Sequence, residues 1–226
     1  MLNALFYPKV PYNHRLFDNL YFPHILDEIH IKGVYREIFE GKKDLIVVDA
    51  GANCGLVTQY FREYAKQVYA IEPSPEHFEA LKKNKEFNEW DNVAVINAGL
   101  FGADGEAEVY TNRGNLTMNS LTANYNQGGT KIKTITLETL MKENEIDEID
   151  FLKMDIEGSE YPIIKSEGFK RVLPKIKAMV VEFHPWANNN EDYRPLVEII
   201  TSAGFTTKQE EVSTINIQFF RKEQNA

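Results

Sequence analysis

The chain has little cysteine, no long apolar run and a shortage of positive charge, and each shortage excludes something. Its single cysteine, Cys54, leaves no internal disulfide and no zinc site built on thiolates. The reducing cytoplasm is therefore the expected compartment. No run of about 18 apolar residues occurs, so no membrane span is expected. The opening residues, MLNALFYPKV, lack the basic start and the apolar length of a secretory signal. The acceptor pattern Asn115-Leu116-Thr117 is discounted on that ground. Lys and Arg number 25 against 34 Asp and Glu, a net charge of −9, and no basic stripe carries interleaved aromatics. Nucleic acid, whose binding comes from Lys and Arg on phosphates, is not the expected partner. Lys82, Lys83 and Lys85 read as the solvated face of a helix. Also missing is the dinucleotide fingerprint G-x-G-x-x-G: counted from Gly51, the third position is Asn53 and the sixth is Leu56.

What is present points to one α/β domain over residues 44–226, preceded by an aromatic-rich segment over residues 1–43. With 226 residues, 43% of them hydrophobic, the chain can bury a full core. The most informative stretch runs from Asp44 to Gly55. Leu45 to Val48 is an apolar strand ending in Asp49; Gly51-Ala52-Asn53-Cys54-Gly55 is a small-residue loop. A helical pattern follows, with Val57, Tyr60, Phe61 and Tyr64 on one face. The glycines permit a sharp turn and close approach to a ligand. The unpaired N–H groups at the helix N-terminus suit a carboxylate or phosphate. Asp49 would sit badly beside a pyrophosphate but can accept hydrogen bonds from an ammonium. S-adenosylmethionine carries both an ammonium and a carboxylate. Gln67 to Ile71 is a second strand ending in Glu72, 17 residues after Gly55, where an acidic side chain can take both hydroxyls of a ribose. Ser74 as N-cap and Pro75 at the first helical position then open a helix to about Asn88.

The same alternation continues. Val93 to Asn97 is a third strand, with Asn97, Ala98 and Gly99 at its carboxyl end, small enough for an adenine ring to lie near the backbone. Strands follow at Glu106 to Tyr110 and Lys131 to Ile135, around a stretch, 111–130, that holds five Asn and three Gly and reads as a substrate loop. Thr136 caps the next helix. Asp150 to Met154 is a strand ending in Asp155-Ile156-Glu157-Gly158, and one helix with Pro162 in its first turn runs to Gly168. Ile176 to Phe183 is a strand ending at Glu182-Phe183-His184, and Glu191 to Ala203 is a helix stopped by Gly204. A hairpin around Ser213-Thr214 closes the chain. This order predicts a doubly wound, mostly parallel seven-stranded α/β sheet with a terminal antiparallel hairpin. Residues 1–43 suggest helices that either cover the carboxyl ends of the strands as a lid or pack on an outer face. Asp49, Glu72, Asn97, Asp155, Glu182 and His184 all fall at strand carboxyl ends, where such folds bind ligands.

The combination resembles the class I methyltransferases, and more narrowly the FkbM family. The matching pieces are Val48 to Gly55, Ala70 to Pro75, Asn119-Ser120-Leu121, Thr136-Leu137-Glu138 and Phe151 to Glu160, within roughly residues 44 to 185. Glu138 stands where the family often has Asp. The resemblance implies a Rossmann-like fold and methylation of a hydroxyl, commonly on a sugar or small molecule. By it, Asp49, Gly51, Ala52, Asn53 and Gly55 line the methionine end of S-adenosylmethionine. Glu72 and Pro73 lie at the ribose, Asn97, Ala98 and Gly99 at the adenine, and Asp155 also borders the cofactor.

Methyl transfer is an in-line displacement that requires an oxygen held about 3 Å from the methyl carbon, with water kept out. A neutral hydroxyl gains from a base or a metal. Lys153, Asp155 and Glu157 alternate along a strand end, and Glu182 and His184 come from the next strand. His184, oriented by Asp155 or Glu182, is the candidate base. Asp155, Glu182 and His184 are alternatively a site for Mg²⁺ or Mn²⁺. Glu157 and Glu160 read as helix capping. His14, His24, His30 and His77, the last on a surface helix, read as structural or exposed. Trp186 can stack on a sugar. An RNA ribose methyltransferase, a nicotinamide oxidoreductase and a cofactor-binding protein without catalysis are the competing readings, and oligomeric state is not legible.

Overall fold

The computed structural model describes residues 35–111, 119–122, 129–212 and 215–222. The expected lid before residue 35, most of the Asn-rich stretch and the tip of the closing hairpin lie outside the described residues. After α1 (Arg36–Phe39) come β1 (Leu45–Ala50), α2 (Leu56–Phe61), β2 (Ala65–Ile71), α3 (Pro75–Phe87) and β3 (Val93–Ile96). The second half holds α4 (Leu137–Glu143), β8 (Ile149–Met154), α5 (Glu160–Lys165), α6 (Glu167–Val172), β9 (Ile176–Phe183), α7 (Arg194–Ser202), β10 (Phe205–Val212) and β11 (Ile215–Lys222). Between the halves lie β4 (Gly99–Leu100), β5 (Gly105–Thr111), β6 (Asn119–Ser120) and β7 (Gly129–Ile135). No helix among the described residues is long and apolar enough to cross a membrane.

The main sheet has seven strands in the order β3-β2-β1-β8-β9-β11-β10. The five strands from β3 to β9 are parallel, while β11 runs antiparallel to both its neighbours, as the short final connection requires. The chain winds outward from β1 to β2 and β3, then returns to β8 on the other side of β1. That reversal puts a switch point between β1 and β8, the place where open sheets of this kind receive ligands. Register matters here: Asp49 on β1 lies directly alongside Lys153 on β8.

Because strands covered on both faces must be apolar on both, β1 is hydrophobic up to Asp49, and β8 is hydrophobic apart from Asp150 and Lys153. Alternate residues feed two cores. Val47, Val68, Phe151, Ala178 and Val180 pack with Phe39, Phe61 and Leu81 on one face. Val48, Ile71, Leu152, Met154, Met179 and Val181 pack with the second-half helices on the other. Each fully buried Val, Leu, Ile or Phe contributes about 1.5–3 kcal/mol. Phe39 joins α1 to the first core through Phe61, ring centroids 5.2 Å apart, and Phe151, 5.0 Å apart. In α7, Leu196 and Ile200 are four apart and buried, and Gly204 beyond its end has φ +89°, the left-handed stop its position predicted.

Three expectations need correction. The single helix ending at Gly168 is two helices. Ser166 takes an extended conformation that ends α5, and its hydroxyl accepts from the Phe169 N–H at 3.1 Å to start α6. The strands around residues 105–111 and 129–135 do not merely flank a loop. With β4 and β6 they build a separate four-stranded sheet, β4-β7-β5-β6. Finally, His77 is buried, because the N-terminal turn of α3 packs toward Glu72, 3.9 Å from its Nδ1.

Gly51 is where β1 and β8 finish together. Its φ is +79°, and a Cβ there would overlap the carbonyl oxygen of Asp155. Replacing it with Ala should therefore cost about 3 kcal/mol or more, measured by denaturant unfolding. A variant as stable as the parent would show that the two strand ends separate easily.

Candidate active site

The loop after β1 closes on itself. Gly51 and Ala52 donate to the Ile71 carbonyl at 3.0 Å each, Gly55 donates to the Ala52 carbonyl at 2.9 Å, and the Cys54 N–H donates to Oδ1 of Asn53 at 2.7 Å. The Asn53 N–H donates to Oε2 of Glu72 at 2.8 Å. From Gly51 to Gly55 every backbone N–H is thus used within the protein. At the start of α2 the Leu56 N–H points at the Cys54 thiol. Asn53 holds φ +51° and Gly55 φ +95°, and a Cβ on Gly55 would lie 2.7 Å from Cδ1 of Leu81. The small residues give the turn its shape and let α3 close over it. Buried Asn84 of α3 donates to the Cys54 carbonyl at 2.6 Å.

Glu72 is held at both oxygens, by the Asn53 N–H and by the Ser74 N–H at 2.9 Å. Ser74 precedes α3 as expected, but its side chain makes no capping bond. A carboxylate has about four acceptor positions, so two remain for hydroxyls. Burial pushes the Glu72 carboxyl up to about 7, against the lowering effect of those two backbone bonds. Pro73 adjoins it. Asn97 is exposed, and its amide donates to the Glu72 carbonyl at 2.9 Å. Ala98 and Gly99 are buried, and the open side of Gly99 faces Leu121, just after β6, and Ile132 of β7.

Between β1 and β8 stands Lys153, which is 4% exposed. Its Nζ lies 3.1 Å from Oδ2 of Asp155 and 3.6 Å from Oδ1 of Asp49, and donates to the Gly51 carbonyl at 3.3 Å. Burial pulls its pKa down, but Asp155 and Asp49 outweigh that and hold it above the ordinary lysine value. Asp49, wholly buried, is raised by burial despite Lys153 and the Thr58 hydroxyl, which donates to its Oδ2 at 2.6 Å. Its Oδ1 has no hydrogen-bond partner among the described residues, and so fits a ligand ammonium. Burial would raise Asp155, but Lys153 and then His184 hold it below the usual carboxylate value.

The second group centres on His184. Its Nδ1 meets Oε1 of Glu160 at 3.0 Å, and its Nε2 faces Oε1 of Glu182 at 3.6 Å, Oε2 of Glu157 at 3.7 Å and Oδ1 of Asp155 at 3.8 Å. Glu160 also accepts from the N–H groups of Ile156, at 2.9 Å, and Gly158, at 2.8 Å. It stands in the first turn of α5, as expected, but its bonds hold the turn before the helix, and it orients the imidazole as well. Glu157 was read as a cap; its carboxylate turns instead to His184. Burial lowers the His184 pKa, but Glu160 first, then Glu182 and Glu157, raise it well above the ordinary value. Burial raises Glu157 to about 8 and raises Glu182 as well. Asp155, Glu157 and His184 offer three ligand atoms within 4.8 Å of one another. Glu182, expected in that set, borders it. Trp186, exposed, stands edge-on to His184 with centroids 6.0 Å apart. Tyr35 was not foreseen. It lies within electrostatic reach of Lys153, Asp155, Asp49 and Glu182, and burial raises its pKa. No pattern in residues 1–43 signals it.

The profile of the methyltransferase FkbM domain matches residues 49–207. The hexuronic acid methyltransferase AglP of Haloferax volcanii is 24% identical over 169 residues, 75% of this chain; the match spans 66% of that protein's length. Among solved structures, an rRNA methylase from Streptococcus thermophilus aligns at TM-score 0.54 with 13% identity, covering 87% of this chain and 96% of its own. A SAM dependent methyltransferase from Aquifex aeolicus aligns at TM-score 0.51 with 14% identity, covering 88% and 92%. These structures share the fold, a class I Rossmann-like methyltransferase sheet.

Lys153→Met removes the one cation between two buried-side carboxylates while keeping most of the volume. Breaking a buried pair from one side costs about 3–5 kcal/mol, and unfolding experiments should find a loss of that size. A loss under about 1 kcal/mol would mean that Asp49 and Asp155 do not depend on it.

Proposed function

The chain belongs to the FkbM methyltransferase family, and from that premise we propose that it carries a methyl group from S-adenosylmethionine to a hydroxyl of a sugar, glycan or other small molecule. The observation that carries the donor assignment is Glu72. It ends β2 beside the switch point, with each oxygen fixed by one backbone N–H and acceptor positions left for a ribose. Asp49 Oδ1, buried, without a hydrogen bond among the described residues and 3.6 Å from Lys153 Nζ, is the acceptor for the ammonium. Gly51 and Gly55 shape the turn that receives the methionine portion, with Ala52 and Asn53 in its wall and Asp155 at its rim. Pro73 and exposed Asn97 border the ribose and the adenine. Bound S-adenosylmethionine supplies an electrophilic methyl on a sulfonium.

The chain's own residues do the rest. Lys153 fixes Asp49 and Asp155 relative to each other, so the donor end and the acceptor end keep one geometry. Activation of the hydroxyl is assigned to the group around His184, with Glu182 as a carboxylate able to take its proton. Trp186 offers a flat apolar face to a sugar ring. The similarity to a hexuronic acid methyltransferase supports a sugar acceptor. Asp155, Glu157 and Glu182 would repel the phosphates of RNA, which weighs against a ribose methyltransferase acting on nucleic acid.

Titration calorimetry with S-adenosylhomocysteine, using NAD as control, tests the donor site. Binding at roughly micromolar Kd, absent for NAD and lost in Glu72→Ala, is expected; no binding by folded protein would overturn the assignment. Since the ionised Glu72 is the better acceptor, affinity should climb as pH rises through about 7. The raised carboxyl pKa also means that Glu72 favours the fold most below its unfolded value and loses that contribution as pH rises through about 7. Glu72→Gln should flatten both profiles. Turnover in His184→Ala should fall by about 100-fold or more with homocysteine-product binding kept, and retained turnover would remove His184 from the chemistry.

A further inference from the structure

We propose that Asp155, Glu157 and His184 bind one hard divalent cation of the Mg²⁺ or Mn²⁺ class beside the acceptor position. Its use in methyl transfer rests on the reading above; the site itself is defined by side chains alone. His184 is 3% exposed, and its Nδ1 is committed to Glu160 at 3.0 Å. Glu160, bonded to two backbone N–H groups, accepts the Nδ1 proton, which leaves the Nε2 lone pair directed away from it. That nitrogen makes no hydrogen bond within 3.5 Å among the described residues. Instead it faces Glu182, Glu157 and Asp155 at 3.6, 3.7 and 3.8 Å. Three carboxylates at nearly equal distances, each too far for a hydrogen bond, suit shared coordination better than direct pairing.

The span agrees. The ligand atoms of Asp155, Glu157 and His184 lie within 4.8 Å of one another, and two ligands across one Mg²⁺ or Ca²⁺ ion stand roughly 4–5 Å apart. Oε2 of Glu157 is buried and has no hydrogen-bond partner among the described residues. Its backbone is left-handed, φ +53°, and its carbonyl is fixed by the Ser120 hydroxyl at 2.5 Å. Gly158 follows with φ +107°, where a Cβ would strike Thr122 and Ala187. The chain therefore holds Glu157 in an uncommon conformation whose result is a carboxylate aimed at an imidazole. A carboxylate behind a ligating histidine is the usual outer partner in metal sites. Two carboxylates and one imidazole, with no thiolate, favour a hard ion. Such an ion would lower the pKa of an acceptor hydroxyl.

The test uses the full chain, stripped with chelator, titrated with Mn²⁺ and followed by electron paramagnetic resonance. We expect one Mn²⁺ per chain, with nitrogen coupling from one imidazole in the pulsed spectrum. Binding should weaken at least about tenfold in Glu157→Gln and in Glu160→Gln, and the nitrogen coupling should vanish in His184→Ala. S-adenosylhomocysteine binding in the same variants reports that they are folded. Absence of Mn²⁺ binding in protein that binds S-adenosylhomocysteine would overturn the proposal, as would Mn²⁺ binding unchanged by Glu157→Gln and His184→Ala. Mn²⁺ binding of the expected kind without S-adenosylhomocysteine binding would uphold the cation site and fail the donor assignment instead.

Discussion

The site depends on one buried ammonium. Lys153 stands between Asp49 and Asp155 at the junction of β1 and β8, and its third contact is the Gly51 carbonyl. A wholly buried carboxylate such as Asp49 costs several kcal/mol unless it is paired. Without Lys153 the sheet could not end in acidic residues on adjacent strands. The parallel register makes the pairing unavoidable, since Asp49 and Lys153 are lateral neighbours. The fold and the electrostatics are thus one constraint: the strand order that creates the switch point also places the cation that makes its acidic lining tolerable.

From Lys153 the polar groups divide into two sets that meet at Asp155. One set, Asp49, Glu72 and the closed glycine loop, is organised by backbone N–H groups and by Thr58. The other, Glu157, Glu160, Glu182 and His184, is organised around an imidazole. Asp155 touches both, through Oδ2 to Lys153 and Oδ1 toward His184. A shift of Asp155 would therefore be felt by the Lys153 group and by the His184 group together. Gly51 guards against that shift, because only a residue without a Cβ fits under the Asp155 carbonyl.

Much of this was legible because it is local. Strand ends are marked by an apolar run followed by an acidic residue, so Asp49, Glu72, Asp155 and Glu182 could be placed from pattern alone. Gly204 and Thr136 announced helix boundaries through backbone chemistry that neighbours cannot override; the Thr136 side chain accepts from the Thr139 N–H at 3.1 Å. What could not be read is long-range. Glu160 looks like a first-turn acid and is one, but its bond to His184 joins residues 24 apart. Glu157 looked the same, and only its left-handed backbone separates the two roles. The small sheet escaped notice because β4 and β6 are two residues each, too short to carry a period. The break at Ser166 was written in the sequence as a serine three residues before Phe169, but the apolar pattern of Ile163, Ile164 and Phe169 runs across it and argued for one helix.

The small sheet then acquires a reason. β6 delivers Ser120 to the Glu157 carbonyl, and Thr122 stands against Gly158. The turn that aims Glu157 is therefore supported by the stretch between β5 and β7, not only by its own strand. Leu121, between those two contacts, packs against Gly99 at the end of β3. One short segment thus touches the carboxyl end of β3 and the His184 side of the site. Changes in the Asn-rich stretch around it would act on the geometry of Glu157 as well as on whatever that stretch itself contacts. The backbone that aims Glu157 and the edge of β3 are in this way mechanically linked, since Ser120, Leu121 and Thr122 hold both.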